Sequence, residues 1–400
     1  MRRSLFGYGV TTKALSKLGN WDIYDDSFTC KGEDEYKNRL LPPDDFDFTK
    51  SFLEIPSPGF PPKHPLVKKA KHLQSEYDFF APKMPFSIWI SGTNGKTTTT
   101  QMATKLLSPL GAVSGGNIGT PLANLDQNAP IWILETSSFT LHYTNIARPD
   151  IYLLLPIKPD HLSWHESFQA YEAAKLKPLA SMRDGSVAII PKAYENIPTK
   201  AYVITYNNSE DLANFLHLDL KNFKVKEPFL MDALLALCAQ YILTRTYQKE
   251  VMENFKLAPH KLQELQDAKG RLWVNDTKGT NVDATIEALK RYKDFKIHII
   301  LGGDDKGVDL NALFKAMKPL HVKIYAIGSN TDKLIQLASE YKIEAKAFYT
   351  LDKAVSAIDL ELDASGVGLL SPAASSLDQF SSYVERGEKF IEQIKSISSH

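Results

Sequence analysis

Residues 92–97 read Gly-Thr-Asn-Gly-Lys-Thr, and those types at that spacing suit an anion. Two glycines allow a turn that aims several backbone N–H groups at one point. A lysine adds a point charge, and a threonine hydroxyl can hold Mg²⁺. The general phosphate loop, G-x-x-x-x-G-K-[ST], asks for glycine at position 90, where this chain has Ile90. The pattern is therefore a shortened variant, and by itself it leaves an ordinary glycine turn open. Its flanks favour the phosphate: 86–90 is a short apolar run of buried-strand type, and 96–107 is compatible with a helix.

Other polar residues fall at equivalent places. Strand-like runs at 86–90, 131–134, 151–155, 186–190 and 201–205 alternate with helical patterns. After a helical stretch at 230–246 and a boundary near Pro259, a second series appears at 272–274, 297–301, 324–327 and 367–370. Such alternation predicts mainly parallel sheets flanked by helices. Ligands of these sheets lie beyond the carboxyl ends of strands. There stand 92–96, Glu135, Asp160-His161, 276–280, 302–306 and 371–376. Two such sets facing one cleft would make an active site between domains. Proline-rich breaks at 56–65 and 81–85 separate a first segment, so the expected domains are 1–84, 85–258 and 259–400.

Taken together, these stretches resemble the Mur ligases, ATP-dependent amide-forming enzymes of peptidoglycan assembly. The motifs are G-T-N-G-K-T at 92–97, G-N-I-G at 116–119, E-T-S-S-F at 135–139 and D-H-L at 160–162. They continue with Y-E-A-A-K at 171–175, N-D-T-K-G-T-N at 275–281, G-G-D-D-K at 302–306 and L-S-P-A-A-S-S-L-D-Q-F at 370–380. Each is weak alone, but eight in family order are specific, and their order is that of the D-glutamate-adding branch. The D-N-P-R run of the meso-diaminopimelate-adding branch and the Asp-Gly-Ala-His stretch of folylpolyglutamate synthases are both missing.

The resemblance implies an α/β fold of three domains. A central P-loop-type ATPase domain with a mainly parallel sheet would be flanked by a small N-terminal and a C-terminal Rossmann-like α/β domain. It implies ATP and Mg²⁺ as cofactors, and UDP-N-acetylmuramoyl-L-alanine and D-glutamate as substrates. Gly92, Thr93, Asn94, Gly95, Lys96, Thr97 and Thr98 would bind ATP together with Lys261 and Asp276. Thr97 and Glu135 would hold a first Mg²⁺, and His161 would help bind a second with a carbamylated Lys175. Physically, CO₂ addition would replace an ammonium that repels Mg²⁺ by a carboxylate-like ligand; an unmodified surface lysine is the plain alternative. Lys96, His161, Lys175, Lys278 and Lys306 are the expected catalytic residues.

For the nucleotide-sugar, the resemblance implies Val10 and Thr11 at the diphosphate, Asp25 and Asp26 near uracil and ribose, and Ser57, Pro58 and Gly59 beside the nucleotide. Asn117 would meet the muramoyl part. The run F-G-Y-G-V-T-T at 6–12 has only two glycines of G-x-G-x-x-G, a weak dinucleotide signal. Thr280, Lys306, Ser376, Leu377 and Tyr383 would take D-glutamate. Each of these also suits plain turn or capping chemistry.

Three departures from the family stand out. Lys261 replaces a usual arginine, keeping the charge and losing the bidentate fork. Residues 227–234 lack a histidine-asparagine pair and carry Asp232 at an expected asparagine, which breaks the pattern of the adenine contacts. The first segment is short.

Other chemistries are less well supported. His161 and His165 are spaced i, i+4 as zinc ligands can be, but no third nitrogen or sulfur ligand is nearby in sequence. A nucleotide-binding switch would need the phosphate loop but not 370–383. Forty-seven basic residues balance forty-seven acidic ones over 400 residues, with no like-charge block, so neither nucleic acid nor a membrane is an expected partner. Only Cys30 and Cys238 occur, which fits a reducing compartment. The basic N-terminus lacks the apolar core of a signal peptide, and no apolar run reaches membrane-spanning length. A cytoplasmic monomer is expected.

Overall fold

The computed structural model describes residues 2–117 and 119–397. The chain divides into two compact units, one up to Phe255 and one from Lys256.

The first unit contains two sheets. Strands β1 (Arg2–Phe6), β2 (Trp21–Tyr24), β3 (Gly32–Glu33), β4 (Arg39–Leu41) and β5 (Ser51–Pro56) form one in the order β3-β4-β2-β1-β5. All its pairs are parallel except β3 with β4. Strands β6 (Phe86–Ser91), β7 (Ala112–Gly116), β8 (Ile131–Glu135), β9 (Ile151–Leu154), β10 (Val187–Pro191) and β11 (Tyr202–Tyr206) form the other, in the order β11-β10-β9-β6-β8-β7. That sheet is parallel throughout. With both faces covered, its strands need continuous apolar runs. Ile88, Trp89, Ile90, Trp132, Ile133, Leu134, Tyr152, Leu153 and Leu154 are accordingly fully buried.

The core runs on from this sheet into the first, through Leu5, Trp21 and Ile55. The connecting helix Glu76–Phe80 adds a polar tie. The buried Asp78 carboxylate accepts N–H bonds from Asn145, Ile146 and Ala147 at 2.8, 2.7 and 2.8 Å.

The second unit contains one sheet, of β12 (Gln263–Gln266), β13 (Leu272–Asn275), β14 (Lys296–Gly302), β15 (Val322–Ile327), β16 (Glu344–Tyr349) and β17 (Gly366–Leu370), in the order β12-β13-β17-β14-β15-β16. Only β12 runs antiparallel to its neighbour. Strands β13, β17 and β14 are adjacent, so their carboxyl ends deliver three loops side by side. The expected α/β class and mainly parallel sheets are those observed. Among the described residues, no helix is long and apolar enough to cross a membrane.

Candidate active site

The strand order of the middle sheet switches sides at β6: β8 and β7 lie on one side of it and β9 on the other. A crevice beyond the strand ends is expected at such a point. Residues 92–95 turn there into the helix Lys96–Leu107. Gly92 and Gly95 have φ of 132° and 91°, values that favour glycine. A Cβ on Gly92 would lie 2.4 Å from that of Leu155, and one on Gly95 would lie 2.2 Å from Asp232 Oδ1. Both positions thus require glycine for space as well as for backbone angle. Lys96 folds back over the loop, its ammonium donating to the carbonyls of Gly92 and Thr93 at 3.0 and 2.8 Å. Thr97 is half-buried in the first helical turn, Asn94 is exposed and Thr98 is buried.

Glu135 closes β8, directly across from Ile90. It is 2% exposed. Its Oε1 accepts from the Asn117 side-chain amide at 2.7 Å, while Oε2 is buried without a hydrogen-bond partner. The Asn117 backbone N–H also donates to the Glu135 carbonyl at 2.9 Å, which fixes this turn. Ile118, in the same run, lies outside the described residues. A buried carboxylate needs compensation for lost hydration, and an orphaned oxygen at a strand end suits a divalent cation bound through oxygen.

Lys175 lies within the helix Phe168–Ser181 and is 1% exposed, so the surface-lysine alternative does not hold. Its ammonium donates to the Gly92 carbonyl at 2.7 Å and lies 4.8 Å from the centre of the Tyr171 ring. Burial, and then the charge of Lys96, push its pKa well below the ordinary lysine value, while Asp160 and Glu135 act the other way. Tyr171 in turn hydrogen-bonds Thr93 Oγ1 at 3.1 Å, and Thr93 also donates to the Lys158 carbonyl at 3.0 Å. His161 is exposed, with φ of 52°, and packs edge-on against Phe139. His165 is engaged with Ser138 Oγ at 2.9 Å. Among the described residues no group of three metal-ligating His, Cys, Asp or Glu side chains occurs, which leaves the zinc reading without support.

In the first sheet, the ends of β1, β2 and β5 bring together Gly7, Asp25 and Ser57: Gly7 N–H donates to the Tyr24 carbonyl and Ser57 N–H to the Phe6 carbonyl, each at 2.7 Å. Burial raises the Asp25 pKa, but bonds from Ser27 and Tyr8 outweigh it and hold the carboxyl below its usual range. Asp26 pairs with His64 at 3.1 Å. Val10 is 70% exposed at the start of the helix Val10–Ser16, with Thr11 beside it. Pro58 and Gly59 follow Ser57 in a loop held by Trp164, whose indole N–H donates to the Gly59 carbonyl at 3.2 Å.

In the second unit, the loop after β13 carries Asp276, Lys278 and Thr280. Asp276 is buried, and burial raises its pKa to about 7 against bonds from Ser371 Oγ at 2.7 Å and Leu262 N–H at 3.1 Å. Lys261, half-buried, adds a nearby positive charge. The Lys278 ammonium lies 6.0 Å from the centre of the Tyr383 ring. After β14, Lys306 is exposed with φ of 50°, its N–H bonded to Asp304 at 3.0 Å. After β17, Ser376 is buried and Leu377 is 65% exposed. An antiparallel bridge between Asp304 and Ser375 joins these last two loops.

Sequence reasoning missed two residues of these neighbourhoods. Asp232, noted in the sequence only as a departure at the adenine contacts, sits against Gly95 and accepts from Thr99 Oγ1 at 3.1 Å. A lone acid in the apolar run L-M-D-A-L-L-A-L was its signal. Arg386 is buried among the three loops of the second unit, and an arginine in a C-terminal amphipathic helix gives no such signal.

Residues 90–234 match the Mur ligase middle domain. The chain is 56% identical over 402 residues to the UDP-N-acetylmuramoylalanine--D-glutamate ligase of Campylobacter jejuni subsp. jejuni serotype O:6 (strain 81116 / NCTC 11828), covering 99% of this chain and 100% of that protein. It is 45% identical over 415 residues to the enzyme of that name from Helicobacter pylori (strain HPAG1), covering 98% of each. Among solved structures, it resembles the MurF ligase of Thermotoga maritima in complex with ADP, with TM-score 0.61 and 17% identity over 87% of this chain and 89% of that one. It also resembles the UDP-N-acetylmuramate-alanine ligase MurC of Thermotoga maritima, with TM-score 0.58 and 15% identity over 99% and 100%. These structural likenesses bear on the fold. The chain belongs to the Mur ligase family, within its UDP-N-acetylmuramoylalanine--D-glutamate ligases.

Proposed function

We propose that the protein joins D-glutamate to UDP-N-acetylmuramoyl-L-alanine with hydrolysis of ATP to ADP and phosphate. The observation that carries this reading is the 56% identity, end to end, with ligases named for that reaction. The geometry supports it: a phosphate loop at the end of β6, a buried carboxylate at the end of β8 and a buried lysine within the helix Phe168–Ser181 come together.

A carboxylate becomes reactive toward an amine when its oxygen is converted to a leaving group. Transfer of the ATP γ-phosphate makes an acyl phosphate; the amine of D-glutamate attacks its carbonyl carbon, and the tetrahedral intermediate expels phosphate. Two anions must approach, so cations and positioning matter most. Residues 92–98 cradle the phosphates, with Lys96 as the point charge. Lys261 and Asp276 complete the ATP contacts, and Lys278 meets the reacting carboxylate. Thr97, Glu135, His161 and Lys175 would hold Mg²⁺, whose chemistry is to neutralise phosphate charge.

Lys175 is suited to modification. A buried amine with a depressed pKa keeps a lone pair that adds to the carbon of CO₂ and releases a proton to solvent, giving a carbamate. Thr280, Lys306, Ser376, Leu377 and Tyr383 take D-glutamate. Val10, Thr11, Asp25, Asp26, Ser57, Pro58, Gly59 and Asn117 take the nucleotide-sugar. We place the protein in the cytoplasm as a monomer. We also propose the division at 84/85 and 258/259, which the separate sheets support.

The test is phosphate release from ATP and Mg²⁺. It should require the nucleotide-sugar and D-glutamate together. Steady hydrolysis with neither present would instead indicate a nucleotide switch.

A further inference from the structure

Arg386 stands early in the C-terminal helix Tyr383–Ile397 and is 1% exposed. Its guanidinium reaches all three adjacent strand-end loops of its unit. Nε donates to Thr277 Oγ1 at 2.9 Å, and Nη2 to the carbonyls of Thr277 and Ala374 at 3.1 and 3.2 Å. Nη1 makes a longer contact to the Gly302 carbonyl at 3.5 Å. Thr277 Oγ1 then donates to the Tyr383 carbonyl at 3.1 Å, closing the ring on the helix itself.

None of these partners is a carboxylate, although buried arginines are usually paired with one. Burial lowers the guanidinium pKa only to about 10, so the charge persists at neutral pH. Two glycines let the parts approach. A Cβ on Gly303 would lie 3.3 Å from Arg386 Nη1, and one on Gly387 would lie 2.6 Å from Thr277 Cγ2.

We propose that Arg386 is a positioning residue that sets the spacing of the loops after β13, β14 and β17, and so the distance between the two points that hold the carboxylates of D-glutamate. The proposal rests on the ligand reading above for the identity of the amino acid. The loops concerned carry Thr280, Lys306 and Ser376, and each gives a main-chain carbonyl to the same planar group. Only arginine offers five donors in a rigid fork; lysine retains the charge but cannot bond all three loops in one plane. The consequence is chain-length selectivity, since the gap between Lys306 and Ser376 is what distinguishes glutamate from aspartate.

The experiment compares the full chain with Arg386→Met and Arg386→Lys by amide hydrogen exchange and by steady-state kinetics. In folded Arg386→Met, exchange protection should fall together in 277–280, 302–306 and 372–377 while the strands keep theirs. KM for D-glutamate should rise at least tenfold, KM for ATP and nucleotide-sugar should change less than twofold, and discrimination against D-aspartate should narrow. Arg386→Lys should lie between, and it decides by the same readouts if the methionine variant does not fold. Unchanged loop protection with an unchanged KM for D-glutamate would overturn the proposal. So would protection lost throughout the unit with all three KM values rising equally. A wild-type enzyme inert toward D-glutamate would remove the ligand reading, and the exchange pattern would still decide whether Arg386 positions the loops.

Discussion

Lys175 donates to the carbonyl of Gly92 at 2.7 Å, so a fully buried amine braces the first glycine of the phosphate loop. An ionisable amine buried there without a carboxylate partner opposes stability, and its retention is explained by chemistry rather than packing.

Lys175→Ala should therefore be nearly inactive, with partial recovery in millimolar formate or acetate, which replace the lost carboxylate-like group. Lys175→Glu should retain some activity. A ¹³C carbamate signal from wild type equilibrated with ¹³CO₂, and its disappearance in Lys175→Ala, checks the modification directly; an unmodified amine in the active, metal-loaded enzyme would contradict it.

Lys175→Met should stabilise the ligand-free, CO₂-free protein despite abolishing turnover. The folded pKa lies below 10.5, so between the two values the unfolded chain binds more protons and wild-type stability rises with pH. The advantage of the methionine variant should accordingly be larger at pH 7.5 than at pH 9.5. Urea unfolding at both values measures it, and an advantage that grows with pH would contradict the assignment.

Lys96→Ala should lower phosphate release by about a hundredfold or more while the fold is kept, as expected for loss of a transition-state cation. The ammonium bonds the loop carbonyls of Gly92 and Thr93 and the side chain is not part of the apolar core, so thermal unfolding should shift little.

Glu135→Ala should raise the Mg²⁺ concentration for half-maximal activity at least tenfold. Mg²⁺ should raise the melting temperature of wild type, since a ligand that binds only the folded state stabilises it, and this effect should vanish in the variant. The orphaned Oε2 is the reason. Equal Mg²⁺ stabilisation of both proteins would place the metal elsewhere.

The apolar strands of the middle sheet and of the sheet in the second unit were legible because burial on both faces demands continuous runs, as in I-W-I-L and I-H-I-I-L. The five strands of the first sheet were not read from the sequence at all, and in the other two sheets three strands escaped. β7, A-V-S-G-G, has little strand propensity and is held by pairing to β8. β12, Q-E-L-Q, and β16, E-A-K-A-F-Y, lie at sheet edges where exposed positions admit polar residues. Glycine and lysine spacing marked the phosphate loop, because its chemistry is local. The contacts of Lys175 with Gly92 and of Arg386 with Thr277 join residues 83 and 109 apart, which no spacing rule reaches.

Lys306→Ala and Ser376→Ala should each raise KM for D-glutamate with less effect on ATP and nucleotide-sugar. Loss of a charge-assisted bond to a carboxylate costs roughly 1.5–3 kcal/mol, about ten- to a hundredfold in affinity. Equal weakening toward all three substrates in both variants would leave the amino-acid specificity unassigned.

The most direct measurement is mass spectrometry of the nucleotide-sugar product after incubation with UDP-N-acetylmuramoyl-L-alanine, ATP, Mg²⁺ and either D- or L-glutamate. The account predicts one added glutamyl residue with the D isomer, matched one-to-one by ADP, and essentially none with the L isomer. Product formed equally from another amino acid, or ADP formed without product, would contradict it.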